Sequence, residues 1–211
     1  MSDRTHVPPA AFLLAAVAGC VDAVGFIQLE GYFVAAMSGN ATRMGIALAQ
    51  GFTPAALFLL GLAALFTGGA AAGELVGRRF PERRGAVLLA IVAALLAAAA
   101  TFFDMLRPAH AIPLMAAAMG MANVALLRGD GGTFGVSHVT GALVEAGRML
   151  AARPEAGRGR QLLGQLLLWA ALAAGVWLGA AGHARFGGGV LRVPAALLLA
   201  AAIVHWRPKP R

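Results

Sequence analysis

The chain is a succession of long apolar runs separated by short polar stretches. Four runs carry no charged residue, at positions 52–73, 85–103, 111–127 and 161–182, and each is close to the roughly 20 residues that a helix needs to cross a bilayer. Two more, at 7–29 and 186–206, reach that length, although Asp22 interrupts the first and Arg192 lies near one end of the second. The pattern predicts six long hydrophobic helices.

Two shorter segments differ from these runs because polar side chains interrupt them. They cover 33–50 and 133–151, and each follows one long helix and precedes two more. Their polar residues are Ser38, Asn40, Thr42 and Arg43 in the first segment, and His138, Thr140, Glu145 and Arg148 in the second. Whether these segments cross the membrane, or enter and leave on one face, decides the architecture.

The same order of elements occurs twice, which indicates an internal repeat with copies at 7–104 and 110–206. Equivalent residues lie 101 positions apart at first, then 102, then 106. They are Gly19, Asp22 and Phe33 with Gly120, Asn123 and Phe134; Ser38, Gly39, Gly45 and Leu48 with Thr140, Gly141, Gly147 and Leu150; and Gly69, Gly73, Arg79 and Phe80 with Gly175, Gly179, Arg185 and Phe186. A duplicated membrane unit with matched polar breaks is typical of transporters and channels, whose sites lie between the copies.

Two layouts can be compared by the positive-inside rule, under which Lys and Arg favour the cytoplasmic side. If all eight segments span the membrane, nine of the 17 Lys and Arg residues lie on the side of the N-terminus and seven lie opposite. If the two short segments enter and leave on one face, the division becomes thirteen against four. The rule favours the second layout, with six spans and both termini in the cytoplasm.

Six spans place three in each copy, and an odd number turns the second copy upside down relative to the first. Equivalent loops then exchange their charge in part: the link at 51–54 is neutral, whereas its counterpart holds Arg153, Arg158 and Arg160. The sequence therefore predicts an inverted repeat. An eight-span protein with a parallel repeat remains the alternative.

Composition agrees with a membrane location and excludes a nucleic-acid partner. Hydrophobic residues make up 60% of the chain and charged residues only 12%, against roughly 25% charged in soluble domains. The net charge of +8 comes from arginines in short clusters between apolar runs, and these do not form one soluble basic face. Membrane topology explains the charge, and the lipid bilayer is the expected partner.

The residues that would support an enzyme, a metal or a cofactor are missing from the pattern. Cys20 is the single cysteine, and no cluster of histidine or cysteine has metal-ligand spacing. There is no nucleophile and base at recognisable spacing, and no nucleotide-binding glycine loop. The stretch 17–20 resembles a lipoprotein signal, but the apolar run continues to Leu29 and the second copy has the same helix without a cysteine, so we expect the first helix to be retained.

Two stretches carry a family resemblance: VDAVGF at 21–26 and FVAAMSGN at 33–40. They resemble the signature of the YoaK family of bacterial membrane proteins, in which an early Asp-Ala is followed by a Phe and then by a Thr-Gly-Asn motif. Ser38 stands where the family has Thr and retains the hydroxyl. The resemblance covers most of the chain and implies a multi-pass inner-membrane protein with no settled biochemical activity.

The matched polar breaks are the first candidate site. Backbone left unpaired in lipid is costly, so a broken helix at membrane depth is tolerated only where protein buries it or where it lines a cavity. A helix that starts at Gly39 or Gly141 would direct free N–H groups toward the middle of the protein, where they could hold an anion or a polar solute. Alternatively, Ser38 and Thr140 bond a carbonyl of their own helix while the glycines allow close packing. Asn40 belongs to the first break.

Asp22 is the strongest single candidate, because ionisable residues inside a span are expensive and usually face a partner or a water-filled path. Its counterpart is Asn123, so only one copy can titrate there. That asymmetry suits a single proton or cation site. It suits equally a permanent pair between Asp22 and Arg43.

Arg43 aligns with Glu145, which places opposite charges at equivalent positions of the two copies. The two residues could form an ion pair that joins the copies and acts as a gate. Alternatively both are solvated near the membrane surface. We expect a buried Arg43 and a solvated Glu145, because only Glu145 is close to a basic loop.

Gly69, Gly73 and Gly77 form a small-residue face, echoed by Gly175 and Gly179. Such faces bring helices close together, either within one chain or in a homo-oligomer. Glu74 lies within this stripe, and its spacing to Arg78 predicts an ion pair near the membrane surface.

We therefore expect an all-α membrane protein that transports or conducts a small polar or ionic solute between its two copies. The predicted pathway residues are Asp22, Ser38, Gly39, Asn40, Arg43, Asn123, Thr140 and Gly141. The alternative is a membrane binding or assembly protein that does not transport and whose polar breaks are structural.

Overall fold

A computed structural model describes residues 7–125, 139–152 and 157–206. Within these ranges the secondary structure is entirely helical, as the hydrophobic pattern predicts. The helices are α1 (Pro9–Gln28), α2 (Met37–Ala49), α3 (Thr53–Arg79), α4 (Arg84–Asp104), α5 (Pro108–Ala122), α6 (Val139–Ala151), α7 (Arg158–Phe186) and α8 (Arg192–Trp206), with short 3-10 turns at Pro81–Arg83 and Gly187–Leu191.

The helix ends differ from the apolar runs in ways that the local sequence explains. Proline occupies the first turn of α1, α3 and α5, where its missing N–H costs nothing. α5 ends at Ala122, although the apolar run continues to Leu127. α8 begins only at Arg192, after the glycine-rich turn at 187–191.

Among the described residues, four helical stretches are long and apolar enough to cross a membrane: Pro9–Gln28, Thr53–Arg79, Pro81–Asp104 and Arg158–Trp206. The last extends over 49 residues and contains both α7 and α8. Pro108–Ala122 is apolar but shorter. The prediction of a helical membrane protein is therefore confirmed, while the number of crossings stays a prediction.

α1 and α7 are joined by glycines that bring their backbones together. Gly19 lies against Leu172 and Val176, Gly175 lies against Ala16, and Gly179 lies against Cys20; a side chain at any of the three glycines would overlap the facing backbone. The facing residue numbers rise together along the two helices, so α1 and α7 run parallel.

α3 and α5 meet in the same way. Gly120 lies against Phe66 and Ala70, Gly69 against Ala117, and Gly73 against Met121. Each of these contacts is the counterpart of one between α1 and α7, at the offsets of 101 and 106 found in the sequence. Each helix pair therefore takes one helix from each half of the chain.

α4 and α8 occupy equivalent places in the two halves and run in opposite directions. At one end, Arg192 at the start of α8 makes an ion pair with Asp104 at the end of α4. At the other end, the guanidinium of Arg83 lies 4.6 Å from the ring centroid of Trp206. Contacts at both ends fix the antiparallel direction.

α4 and α5 form the centre of the protein, with Leu88, Leu96, Met115 and Met119 fully buried. In α7, by contrast, only Gly175 and Gly179 are buried, and Trp169, Trp177 and several leucines are exposed. An apolar face that protein does not cover is expected to contact lipid in a membrane protein.

The segment between α1 and α3 starts and ends at the same end of the bundle. Gln28 and Leu29, at the end of α1, line a cavity together with Phe58 near the start of α3. The ring of Tyr32 lies 6.0 Å from that of Phe58. α2 has 13 residues, about 20 Å of helix, which is short for the roughly 30 Å hydrocarbon core.

Candidate functional site

The chain between Tyr32 and α2 is not helical, and side chains from elsewhere satisfy its backbone. Asp22, on α1, accepts hydrogen bonds from the N–H groups of Val34 at 2.9 Å and Ala35 at 2.7 Å through Oδ1, and of Ala36 at 3.1 Å through Oδ2. These N–H groups precede the first turn of α2, where the helix dipole favours a negative charge. Asp22 therefore holds the segment that leads into α2 from another helix.

Asn40 completes the same arrangement from within α2. Its Oδ1 accepts from the N–H of Phe33 at 2.9 Å, and its Nδ2 donates to the carbonyl of Phe33 at 2.6 Å. The side chain is 3% exposed, so an amide that both donates and accepts is required to leave no buried polar atom unpaired. The four consecutive N–H groups at 33–36 are thus all bonded to side chains.

Glycines on both sides allow the non-helical segment to approach. A Cβ on Gly25, one turn after Asp22 on α1, would lie 2.9 Å from the side chain of Val34. A Cβ on Gly39 would lie 2.8 Å from the ring of Phe33. Gly39 serves packing, and α2 begins two residues earlier, at Met37.

This geometry changes the predicted chemistry of the break. Free N–H groups for an anion were expected at the start of the helix, but the carboxylate of Asp22 already takes those at 34–36. Ser38 is exposed, and its carbonyl accepts from the hydroxyl of Thr42 at 3.3 Å. The N–H groups just before α2 are therefore bonded within the protein itself.

Arg43 does not pair with either of its predicted partners. No carboxylate in the described part of the chain lies within 4.0 Å of it; Asp22 bonds backbone N–H groups, and Glu145 pairs with Arg148 at 3.7 Å. The guanidinium lies 5.6 Å from the ring centroid of Phe26 and 5.7 Å from that of Tyr32. Cation–π contacts hold it, as aromatic faces do for arginine. It is half-buried and lines a cavity of about 440 Å³.

The second copy is described only in part. Asn123 is buried, and its Nδ2 donates to the carbonyl of Met119 at 2.8 Å in its own helix. Thr140 and Gly141 are exposed on the first turn of α6. His138 and the residues equivalent to 33–36 lie outside the described residues.

The glycine stripe of α3 is used inside the chain. Gly69 and Gly73 contact α5, and Gly77 lies against the guanidinium of Arg84. The helix-to-helix alternative explains these glycines without a partner chain. A homo-oligomer through them stays a prediction.

Arg84 is a buried charge that the sequence interpretation missed. It is 7% exposed, its Nε and Nη2 donate to the carbonyl of Val124 at 3.1 and 2.8 Å, and it pairs with Glu74. Glu74 also makes the predicted pair with Arg78, at 3.0 Å. Arg84 therefore joins the ends of α3, α4 and α5. Arg84 lies at the edge of an apolar run, next to Arg83, so the sequence does not distinguish it from an exposed loop arginine.

Helices of membrane-crossing length, uncovered apolar faces and buried polar caps define a multi-helical transmembrane protein. The chain belongs to the family described as protein of unknown function (DUF1275), whose model matches residues 10–204. It is 38% identical over 188 residues to the UPF0700 transmembrane protein RA0705 of Rhizobium meliloti (strain 1021), which covers 88% of this chain and 81% of that protein. No solved structure matches the chain. An uncharacterised membrane family was expected and is found, while the YoaK name stays a prediction.

Proposed function

We propose that the chain is a transporter of a small polar or ionic solute, built from two copies in opposite orientation in the inner membrane. Six crossings, by α1, α3, α4, α5, α7 and α8, would place both termini in the cytoplasm. The division of arginine and lysine supports this layout, since it gives thirteen residues against four. The 49-residue stretch of α7 and α8 corresponds to two crossings, because about 74 Å of helix exceeds twice the hydrocarbon thickness.

The exchange of helices between the copies is the observation that carries the proposal. Equivalent helices α4 and α8 run antiparallel, as they must in an inverted repeat, whereas a parallel repeat would align them. The pairs α1–α7 and α3–α5 each combine both copies through matching glycine contacts. Inverted-repeat transporters work by rocking one such unit against another around a central site. The two glycine-joined pairs are suitable rigid units.

In this proposal the pathway residues lie where the α1–α7 and α3–α5 pairs meet the two short segments. The first copy supplies Asp22, Ser38, Gly39, Asn40 and Arg43, and the second supplies Asn123, Thr140 and Gly141. Asp22 would serve as the proton or cation coupling group. Neutralising its charge weakens three hydrogen bonds at once, so the same event that couples an ion would release the start of α2.

The alternative, a membrane protein that does not transport, has one observation in its favour. The polar atoms of Asp22 and Asn40 bond the chain's own backbone, which is a structural task. Replacing Asp22 by Asn does not separate the two hypotheses, because both predict a loss of stability. Transport itself has to be measured.

Orientation is tested by labelling single cysteines at Gln50 and Ala152 in a chain that carries Cys20→Ala. The two positions are equivalent in the repeat and both are exposed. We expect Gln50→Cys to react with an impermeant reagent only from outside, and Ala152→Cys only from inside. If both react from the cytoplasm, the parallel eight-span layout is correct and the proposal loses its basis.

Transport is tested with the purified chain in liposomes, by light scattering after osmotic shock with a panel of neutral polar solutes, inorganic anions, carboxylates and cations. We expect at least one solute to enter faster than in protein-free liposomes, with a rate that saturates. Arg43→Gln removes the charge of a proposed pathway residue and should slow this entry, whereas Arg185→Gln, at an exposed arginine near the C-terminal end of α7, is the matched control and should not. Rates equal to those of protein-free liposomes for the whole panel would favour the alternative.

A further inference from the structure

We propose that the cavity beside Arg43 is a binding site for an oxyanion group of the phosphate or carboxylate type. Because Arg43 is one of the proposed pathway residues, the inference deepens the proposed function, and binding measured at equilibrium can succeed or fail independently of transport.

The guanidinium of Arg43 is held in place without using its donors. The rings of Phe26 and Tyr32 contact the guanidinium. The backbone of Gly31 also packs against it, since a Cβ on that glycine would lie 3.1 Å from Nη1. Gly31 has φ of +110°, a conformation that favours glycine, so the close approach is built into the turn after α1. Ring contacts fix the plane of the guanidinium and leave its N–H groups free for a ligand.

No carboxylate in the described part of the chain compensates the charge of Arg43. The buried Arg84 pairs with Glu74, whereas the half-buried Arg43 has neither an ion pair nor a hydrogen bond among the described residues. Glu30 directly precedes Gly31 in the sequence, but its side chain is exposed and makes no ion pair with Arg43. A half-buried cation in a membrane protein is expensive unless an anion accompanies it.

The cavity has the size and the lining for such a ligand. Its volume of about 440 Å³ lies in the range of small-molecule sites. Arg43, the hydroxyl of Tyr32 and the amide of Gln50 supply polar groups, while Phe52 and Ile46 form an apolar wall and are themselves more than half exposed. A planar fork of donors beside an apolar wall suits a phosphate or carboxylate, either free in water or carried by a lipid.

The single tyrosine of the chain provides a local probe. Tyr32 is in contact with Arg43, so 3-fluorotyrosine gives one ¹⁹F signal at the site. Two ligands are titrated into the full chain in nanodiscs: inorganic phosphate at constant ionic strength in phosphatidylcholine, and phosphatidylglycerol introduced at increasing fraction. We expect at least one of them to shift the ¹⁹F signal saturably.

The variants decide what the shift means. Arg43→Gln should abolish it, Arg185→Gln should leave it unchanged, and Arg43→Lys should weaken binding roughly tenfold, because lysine keeps the charge but loses the fork of donors. Arg43→Lys also keeps the test valid if Arg43→Gln does not fold, which gel filtration would reveal. A shift with phosphate identifies a free anion, and a shift with phosphatidylglycerol alone identifies a lipid headgroup. The proposal fails if neither ligand shifts the wild-type signal, or if binding is unchanged in the variant of Arg43 that folds.

Discussion

At the scale of single residues, the sequence identified the polar positions correctly but not what they bind. Asp22 and Asn40 stand out because polar residues inside apolar runs are costly. Their partners are backbone groups at 33–36, and backbone groups carry no residue-type signature. Arg43 likewise contacts the rings of Phe26 and Tyr32 and does not pair with either predicted carboxylate. The sequence therefore shows which polar residues lie within the helices, whereas the groups they bind become known only from the fold.

Replacing Asp22 by Asn is expected to lower the free energy of unfolding by about 2–3 kcal/mol. In the wild type the carboxylate accepts from three backbone N–H groups. The amide of the variant turns its own N–H donors toward at least one of these groups, and its remaining hydrogen bonds lack the added strength of those to a charged group. Thermal or denaturant unfolding in detergent measures the change. Asp104→Asn is the matched control, expected to cost under about 1 kcal/mol, because that carboxylate and Arg192 are both about half exposed.

Asn40→Asp tests the hydrogen bonds to the backbone of Phe33 and should destabilise the protein by about 2–4 kcal/mol. The carboxylate cannot donate to the carbonyl of Phe33, and it places a charge at a position that is 3% exposed. Ser38→Ala, two residues earlier and exposed, should change stability by less than about 0.5 kcal/mol. Equal effects of the two substitutions in the same unfolding assay would contradict the assignment of roles in this segment.

At the scale of helices, hydrophobic runs located the long elements well, and their ends less well. The non-helical stretch at 33–36 exists because Asp22 and Asn40 stabilise it, so no local propensity marks it. α5 ends at Ala122, and two residues later the carbonyl of Val124 accepts hydrogen bonds from Arg84 of α4. Both boundaries depend on tertiary contacts, which outweigh local preference.

Two adjacent glycines of α3 give a sharp test of helix packing. Gly69 lies against the backbone of Ala117, whereas a Cβ on Gly68 would have no neighbour within 4 Å. We expect Gly69→Ala to cost about 1–3 kcal/mol or more through overpacking. Gly68→Ala should be neutral or stabilise by up to about 1 kcal/mol, because alanine is the better helix former. Unfolding midpoints of the two variants decide the matter, and a reversed order would exclude the close α3–α5 contact.

At the scale of the whole molecule, the sequence predicts a repeat, which stays a prediction, but it does not show how the two halves of the chain combine. The distribution of Lys and Arg distinguishes one membrane topology from another. It does not show whether the two halves of the chain lie side by side or exchange helices. The contacts of Gly19 and Gly120 show that α1 packs on α7 and α5 on α3. These contacts join residues far apart in the chain, so no local pattern predicts them.

Dividing the chain between Leu106 and Arg107 should therefore give two halves that depend on each other. Alone, residues 1–106 lack the partners of Gly19 and Gly69, and we expect this half to be degraded or to aggregate. Co-expressed halves should assemble and co-purify in detergent. Accumulation of the first half alone as a folded monomer, with the same helical content per residue, would contradict the exchange of helices.

The exchange of helices also has a consequence for the origin of the protein. A gene that encoded only one copy would specify a chain whose glycine faces find matching partners only on a second molecule, inserted in the opposite direction in the proposed layout. Such an ancestor would have to insert in both directions within one membrane. If the proposed repeat arose by fusion of two genes, that requirement would disappear and each half would be free to acquire its own residues, such as Asp22 opposite Asn123 and Arg43 opposite Glu145.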